Sequence, residues 1–185
     1  MAEPAALRCA PAIPATPGLR LLPPAARFIL RADGRALGIA GTALGIDSAP
    51  GACRASQGGT RAALWLGPDE YLLLAPQAEA PGLASTLEEA LQGEPHSLVD
   101  VSQRQAALEI SGSRAADILN SGCPLDLDSA AFPIGMCTRT VFAKAEIVLW
   151  RTAGDTFRLE VWCSFTDYVA RYLGEVVREY GDSAK

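Results

Sequence analysis

The sequence predicts an α+β fold with mostly antiparallel sheets, and three observations carry that prediction. Short apolar runs separated by turn residues recur along the chain, which is typical of antiparallel strands. Residues 62–93 and 146–181 both run strand, turn, strand, helix, a pattern that indicates a duplicated βαβ-type unit. The 185 residues are 49% hydrophobic and 20% charged, a composition that allows a well-filled core.

The chain is expected to consist of an arm and one domain. Residues 1–26 are rich in proline and alanine and predict an extended arm, because proline fixes φ and removes backbone donors. Residues 27–185 are expected to form a single α+β domain, with pseudo-repeat halves of about 27–102 and 103–181.

In the first half, residues 27–31 predict a strand. The glycine-rich residues 34–59 are expected to form loops around at most one short strand near 37–46. Residues 62–66 and 71–74 predict a hairpin whose strands are covered on both faces, since nearly every position is apolar. A helix is expected from Pro81 through Leu91, because proline favours the first helical position and glycine follows the end.

Residues 97–102 at the end of the first half and residues 105–110 at the start of the second predict strands, and a helix follows that ends at Gly122 and Pro124. Residues 136–142, 146–151 and 156–162 predict three further strands. A final helix is expected to begin at the capping residue Ser164 and to end at Gly181. Its core-facing side is predicted from the helical spacing of eight apolar residues, which are Phe165, Tyr168, Val169, Tyr172, Leu173, Val176, Val177 and Tyr180.

A histidine, an acid and a hydroxyl lie close together in the sequence at residues 96–102. If this stretch is extended, the Cα atoms of His96 and Asp100 are about 13 Å apart, at roughly 3.3 Å per residue. A catalytic triad needs hydrogen bonds near 3 Å between successive partners. The stretch is therefore interpreted as structural, and no catalytic residue is predicted on this chain.

The remaining composition narrows the classes of function. The net charge of −5 argues against nucleic-acid binding, and no apolar run reaches the length of a membrane span. Five scattered cysteines and one histidine form no zinc-binding spacing, so reduced thiols and a cytoplasmic location are expected. Asp126 and Asp128 are interpreted as loop residues. No cofactor site and no metal site are predicted.

Four segments resemble the gamma subunit of heterotetrameric sarcosine oxidase, in an order and spacing that span roughly residues 60–180. They are LGPDEYLLLAP, LVDVSQRQAALEISGSRAADILNSGCPLDL, FPIGMCTRTVFAKAEIVLWR and TFRLEVWCSFTDYVARYL. More distantly, residues 100–102 and 111–115 resemble the aminomethyltransferase (glycine cleavage T-protein) superfamily. That resemblance implies ferredoxin-like halves and a fold like the folate-binding domain of those enzymes.

The closer resemblance implies a non-catalytic subunit acting in assembly and stability. The implied complex oxidises sarcosine to glycine, makes hydrogen peroxide, and yields formaldehyde or methylene-tetrahydrofolate. Its alpha and beta chains hold FAD, FMN, NAD and tetrahydrofolate, and its delta chain holds zinc. Interfaces between permanent subunits are rich in aromatic residues and arginine. Five residues are therefore candidates for partner contact: Arg104, Phe132, Trp150, Arg151 and Trp162.

Two alternatives remain open on the sequence alone. One is a self-standing module that binds a folate-like ligand in the manner of the aminomethyltransferase superfamily. The other is a thiol enzyme built on Cys163 or Cys123, since a helix N-terminus can lower the pKa of a thiol.

Overall fold

A computed structural model describes residues 16–182 of the chain, with residues 181 and 182 described by their backbone alone. These residues divide into two compact units. The N-terminal unit comprises residues 24–102 and 135–138; of the described residues, the C-terminal unit comprises 16–23, 103–134 and 139–182. Residues 1–15 of the predicted arm lie outside the described residues.

The same series of elements occurs twice along the chain. The strands are β1 (Leu19–Leu21), β2 (Ala25–Ala32), β3 (Ala55–Gly58), β4 (Arg61–Gly67), β5 (Glu70–Pro76), β6 (His96–Asp100), β7 (Gln105–Ser111), β8 (Cys137–Phe142), β9 (Ala145–Ala153) and β10 (Thr156–Trp162). The helices are α1 (Gly34–Leu44), α2 (Ala80–Ala90), α3 (Ala115–Asn120) and α4 (Cys163–Asp182). The series β2-α1-β3-β4-β5-α2 returns as β7-α3-β8-β9-β10-α4.

The two sheets also share a strand order, which is β3-β4-β5-β2 in one sheet and β8-β9-β10-β7 in the other. Each sheet gains a fifth strand at the same edge, β6 beside β2 and β1 beside β7. The strand pairs of both sheets are antiparallel, as between β2 and β5 and between β7 and β10. The predicted α+β class, with duplicated units and mostly antiparallel sheets, is therefore confirmed.

The N-terminal unit packs its two α-helices, α1 and α2, on one face of its sheet. Phe28 and Leu30 of β2 and Leu73 of β5 share one buried cluster with Leu37 of α1 and Leu87 of α2. Burying a side chain of this size contributes about 1.5–3 kcal/mol. The predicted hairpin is confirmed, and residues 70–75 of β5 are all buried, as a strand covered on both faces requires.

Helix α1 corrects the expectation of loops and a short strand over residues 34–59. The side chain of Asp33 caps the helix by accepting a hydrogen bond from the Ala36 amide at 2.9 Å, and Gly45 ends it in the left-handed conformation. The glycines lower the intrinsic helix propensity, but buried Ala40 and Leu44 anchor one face in the core. Tertiary packing therefore outweighs local propensity in this segment.

The sequence does not predict strand β3. Its residues, Ala55–Gly58, form no apolar pattern, and the structure shows that none of them is fully buried. Its last residue, Gly58, lies against the end of α1. A Cβ atom at this position would lie 1.9 Å from the Gly45 carbonyl oxygen, far inside van der Waals contact. Glycine is therefore required where β3 passes the end of the helix.

The C-terminal unit is built around β10, which pairs with β7 on one side and β9 on the other. Leu159 lies opposite Leu108 of β7 and Leu149 of β9, and all three are fully buried. The ring of Phe142 meets Tyr172 of α4 edge to face, with centroids 5.1 Å apart. The three strands and two helices predicted over residues 115–181 are thus present.

Helix α4 departs from the prediction at both ends. It begins at Cys163 rather than after Ser164, and it continues through Gly181 to Asp182. Its buried face is formed by six residues, Thr166, Val169, Ala170, Leu173, Gly174 and Val176. Two residues predicted to face the core, Phe165 and Tyr168, are exposed instead.

Candidate partner surface

The polar residues at 96–102 serve local structure. Strand β6 pairs with β2, and the backbone amide of Ser102 donates to a carboxylate oxygen of Asp100 at 2.8 Å. The Ser102 hydroxyl is buried and accepts a hydrogen bond from the Arg27 amide at 2.9 Å. Nδ1 of His96 donates to the Glu94 carbonyl at 2.8 Å, and its Nε2 lies 3.2 Å from Glu88. These bonds join none of the three residues as a triad would require.

We expect His96 to titrate above its ordinary pKa of about 6.5. The hydrogen bond to the Glu94 carbonyl is the main cause of the raised pKa, and the Glu88 carboxylate adds to it. Because the pKa is raised in the folded state, protonation stabilises the fold. That contribution is complete below the unfolded pKa and is lost as the pH rises through the folded pKa. The chain has one histidine, so the imidazole C–H signals in a proton NMR titration report on His96 alone.

The Glu88→Gln variant supplies the control for this titration. It should lower the midpoint but leave it above the ordinary value, since the bond to Glu94 is the larger cause. A midpoint at or below about 6.5 in the unsubstituted chain would contradict the described geometry.

The two candidate thiol nucleophiles lack the properties of reactive cysteines. Cys163 is disulfide-bonded, so the expectation of reduced thiols is wrong at this position, and its sulfur is not a thiolate. Burial raises the pKa of the Cys123 thiol, which lowers the thiolate fraction at neutral pH. Neither residue supports the interpretation as a thiol enzyme.

Asp126 and Asp128 cap their own loop. The carboxylate of Asp126 accepts from the Asp128 amide at 2.9 Å, and the carboxylate of Asp128 accepts from the Ala130 amide at 2.8 Å. Across residues 16–182, no group of three or more His, Cys, Asp or Glu side chains is placed to hold a metal ion. No helix among these residues is long and apolar enough to span a membrane.

The structure separates the five candidate contact residues into two groups. Phe132, Trp150 and Arg151 are buried within the C-terminal unit. The Arg151 guanidinium donates to the carbonyls of Leu127 and Phe132, at 3.2 and 2.9 Å. These three side chains therefore build the core and present no surface to a partner. Arg104 and Trp162 are exposed.

Arg104 and Trp162 lie together with two further exposed aromatic residues at the junction of β10 and α4. We name Arg104, Trp162, Phe165 and Tyr168 the aromatic patch. Trp162, Phe165 and Tyr168 are 42%, 41% and 37% exposed, and the Arg104 guanidinium carbon lies 5.2 Å from the Trp162 ring centroid. The Cys163 amide donates to the Arg104 carbonyl at 2.9 Å, which holds the start of α4 against the residue preceding β7.

Helix geometry explains why two of these aromatics remain outside the core. Phe165, Tyr168 and Tyr172 each precede a buried residue of α4 by one position, which is a rotation of about 100° around the helix axis. Tyr172 is held by its hydroxyl, which donates to the Ser121 carbonyl at 3.1 Å. Phe165 and Tyr168 therefore form a second apolar stripe beside the buried one. The sequence signal for this second stripe is that the apolar residues of α4 cover a wider arc of the helix than one buried face needs.

Two polar groups at the aromatic patch have unused hydrogen-bonding capacity. Among the described residues, no carboxylate forms an ion pair with Arg104, and the buried side-chain oxygen of Gln105 accepts no hydrogen bond. Gln105 lies opposite Trp162 in the pairing of β7 with β10. Buried acceptors are normally satisfied by a protein group or an ordered water.

Comparisons with known proteins point to one family. The model of the sarcosine oxidase, gamma subunit family matches residues 31–179. The sarcosine oxidase subunit gamma of Corynebacterium sp. (strain U-96) is 35% identical to this chain over 154 residues, which cover 83% of this chain and 74% of that protein.

Solved structures give the same picture. A chain of the heterotetrameric sarcosine oxidase from Corynebacterium sp. U-96, in complex with pyrrole 2-carboxylate, has a TM-score of 0.81 at 30% identity, covering 88% of this chain and 84% of that one. The glycine cleavage system aminomethyltransferase T from Bartonella henselae has a TM-score of 0.65 at 14% identity, covering 87% of this chain and 46% of that one. The second similarity concerns the fold alone and confirms the predicted fold resemblance.

Proposed function

The chain belongs to the sarcosine oxidase gamma subunit family, and from that premise we propose that it is the non-catalytic gamma subunit of a heterotetrameric sarcosine oxidase. Its role in this proposal is the assembly and stability of the complex. The observation that carries the proposal is the family match over residues 31–179. The aromatic patch supports it, because solvent-exposed aromatic residues beside an arginine are typical of a protein interface.

The complex oxidises sarcosine to glycine and reduces oxygen to hydrogen peroxide. The methyl carbon leaves as formaldehyde or enters methylene-tetrahydrofolate. The partners are alpha, beta and delta chains, of which alpha and beta hold FAD, FMN, NAD and tetrahydrofolate and delta holds zinc. The gamma chain contributes no cofactor ligand and no reacting group in this proposal. The proposal places the complex in the cytoplasm, where most thiols stay reduced, as Cys53, Cys123 and Cys137 are.

The aromatic patch is the surface through which this chain contacts a partner subunit. The partner offers an apolar surface to Trp162, Phe165 and Tyr168 and a carboxylate to Arg104. It also supplies a hydrogen-bond donor to the side-chain oxygen of Gln105. A surface of this composition resembles the centre of a stable interface, where aromatic anchors are enclosed and an ion pair fixes the register.

Omission of this chain from co-expression should prevent assembly of the heterotetramer. We expect native mass spectrometry to show a four-chain complex when the alpha, beta, delta and gamma chains are produced together. Without gamma, the remaining chains should appear as smaller or aggregated species, because an obligate interface left open exposes apolar surface. A gamma chain that stays a monodisperse monomer beside its partners and binds tetrahydrofolate by itself would contradict the proposal and favour the folate-binding module.

A further inference from the structure

The N-terminal unit contains a pair of free cysteines on neighbouring backbone segments. Arg54 and Met136 form an isolated antiparallel bridge, which places Cys53 opposite Cys137. The Cys137 amide donates to the Cys53 carbonyl at 3.1 Å. Opposed residues in antiparallel pairing have Cα atoms about 4.5–5.5 Å apart, and a disulfide spans about 4.4–6.8 Å. The direct backbone hydrogen bond between the two cysteines is compatible with the Cα separation that a disulfide bond needs.

The two thiols differ in their access to solvent. Cys53 is partly exposed and Cys137 is buried. The thiol of Cys137 donates a hydrogen bond to the Trp65 carbonyl, with sulfur and oxygen 3.6 Å apart. Burial raises the pKa of Cys137 to about 12, and the neighbouring Cys53 adds to the increase, which places the two thiols within electrostatic range of each other. A small oxidant in solution therefore reaches Cys53 first.

The backbone at Cys53 is unusual for a residue with a side chain. Cys53 is the third residue of a turn closed by the Arg54 amide, which donates to the Gly51 carbonyl at 3.0 Å. Its φ is +55°, a conformation that favours glycine or asparagine at this turn position. A side chain here costs on the order of 1 kcal/mol. Turn chemistry thus gives no reason for a cysteine at position 53.

We propose that Cys53 and Cys137 form a dithiol site that hydrogen peroxide oxidises to an intramolecular disulfide. The Cys53 thiolate attacks one peroxide oxygen, the O–O bond breaks, and Cys53 sulfenic acid and one water form. The sulfur of Cys137 then attacks the sulfenic sulfur, the S–O bond breaks, and a second water leaves as the S–S bond forms. The two thiols lose two electrons and two protons in total, and one hydrogen peroxide becomes two waters.

Hydrogen peroxide is also a product of the proposed sarcosine oxidase reaction, but the dithiol site itself needs no partner subunit. Peroxide added to the full-length chain tests the site directly, so its failure and the failure of the assembly role are distinguishable. Cys123 provides a matched control, because it is also a free, buried thiol and lies in the other unit.

The test is peptide mapping of the full-length chain after graded hydrogen peroxide and alkylation of the remaining thiols. We expect a cross-linked peptide joining residues 53 and 137, two hydrogens lighter than the separate peptides. The Cys137→Ser variant should instead accumulate a Cys53 sulfenic acid that dimedone traps. The Cys123→Ser variant should form the same cross-link as the unsubstituted chain. The mapping also assigns the existing disulfide of Cys163, so the two bonds are not confused.

The rates give a second readout. Cys53 should lose its free thiol at least about tenfold faster than Cys123, because thiol oxidation follows exposure and thiolate character. Absence of a 53–137 cross-link when Cys53 is already oxidised would overturn the proposal. Equal oxidation rates at Cys53 and Cys123 would overturn it as well.

Discussion

Arg151→Ala should destabilise the chain by about 3 kcal/mol or more, since a buried charged hydrogen-bond network is lost. The guanidinium donates to the carbonyls of Leu127 and Phe132 in one loop and to the carbonyl of Gly154 in the β9–β10 turn. Its carbon also lies 5.0 Å from the ring centroid of Phe157. Removal of the side chain leaves these carbonyls without their donor and opens a cavity in the core.

Thermal or urea unfolding of the variant measures this loss, and Arg171→Ala supplies the control. Arg171 is an exposed arginine of α4 whose ion pair with Asp167 spans 2.9 Å. Exposed pairs of this kind contribute about 0.5 kcal/mol. Equal stability of the two variants would show that Arg151 does not hold the loop of Leu127 and Phe132 to the β9–β10 hairpin. Arg151 would then again be a candidate for contact with a partner subunit.

The double variant Trp162→Ser with Phe165→Ser should weaken association with the partner subunits by about a thousandfold. Aromatic anchors at the centre of an interface contribute about 2 kcal/mol or more each, and about 1.4 kcal/mol corresponds to a tenfold change in affinity. Both side chains are exposed in the isolated chain, so the thermal stability of gamma should change little. Co-purification and native mass spectrometry of the co-expressed chains measure the assembled fraction.

Ile134→Ser is the matched control for the aromatic patch. Ile134 is 63% exposed and lies outside the patch, so its replacement removes a similar apolar surface elsewhere. Assembly should be close to normal in this variant. If the double variant assembles as well as the Ile134→Ser chain, the aromatic patch is not the partner surface.

The parts of the fold that the sequence revealed are those with strong local patterns. The β4–β5 hairpin and strand β9 carry apolar runs beside clear turn residues, and these runs are buried. Helix α1 was not recognised because Gly34, Gly38 and Gly41 obscure its pattern. Asp33 as a cap and Gly45 beyond the end were local signals for that helix, but only the packing of its alanines against the sheet makes it stable.

The candidate contact residues show a different limit of sequence reasoning. A buried arginine and an interface arginine look alike in a sequence. The partners that bury Arg151 are backbone carbonyls at positions 127, 132 and 154, and side-chain patterns carry no record of them. Phe165 and Tyr168 show the reverse error, since the sequence pattern assigns them to the core and they are exposed. Their spacing matches a core-facing helix. Which part of a wide apolar arc is buried depends on the orientation of α4 on its sheet.

We propose that this chain holds the complex together and takes no part in the reaction. The most direct test is the turnover number per assembled heterotetramer, compared across the unsubstituted chain, the Ile134→Ser variant and the Trp162→Ser, Phe165→Ser double variant. Peroxide formation from sarcosine gives the rate, and native mass spectrometry gives the assembled fraction. We predict that total activity falls in proportion to assembly while the turnover of each intact complex stays constant. A fully assembled complex that has lost its turnover through a substitution in this chain would contradict the account.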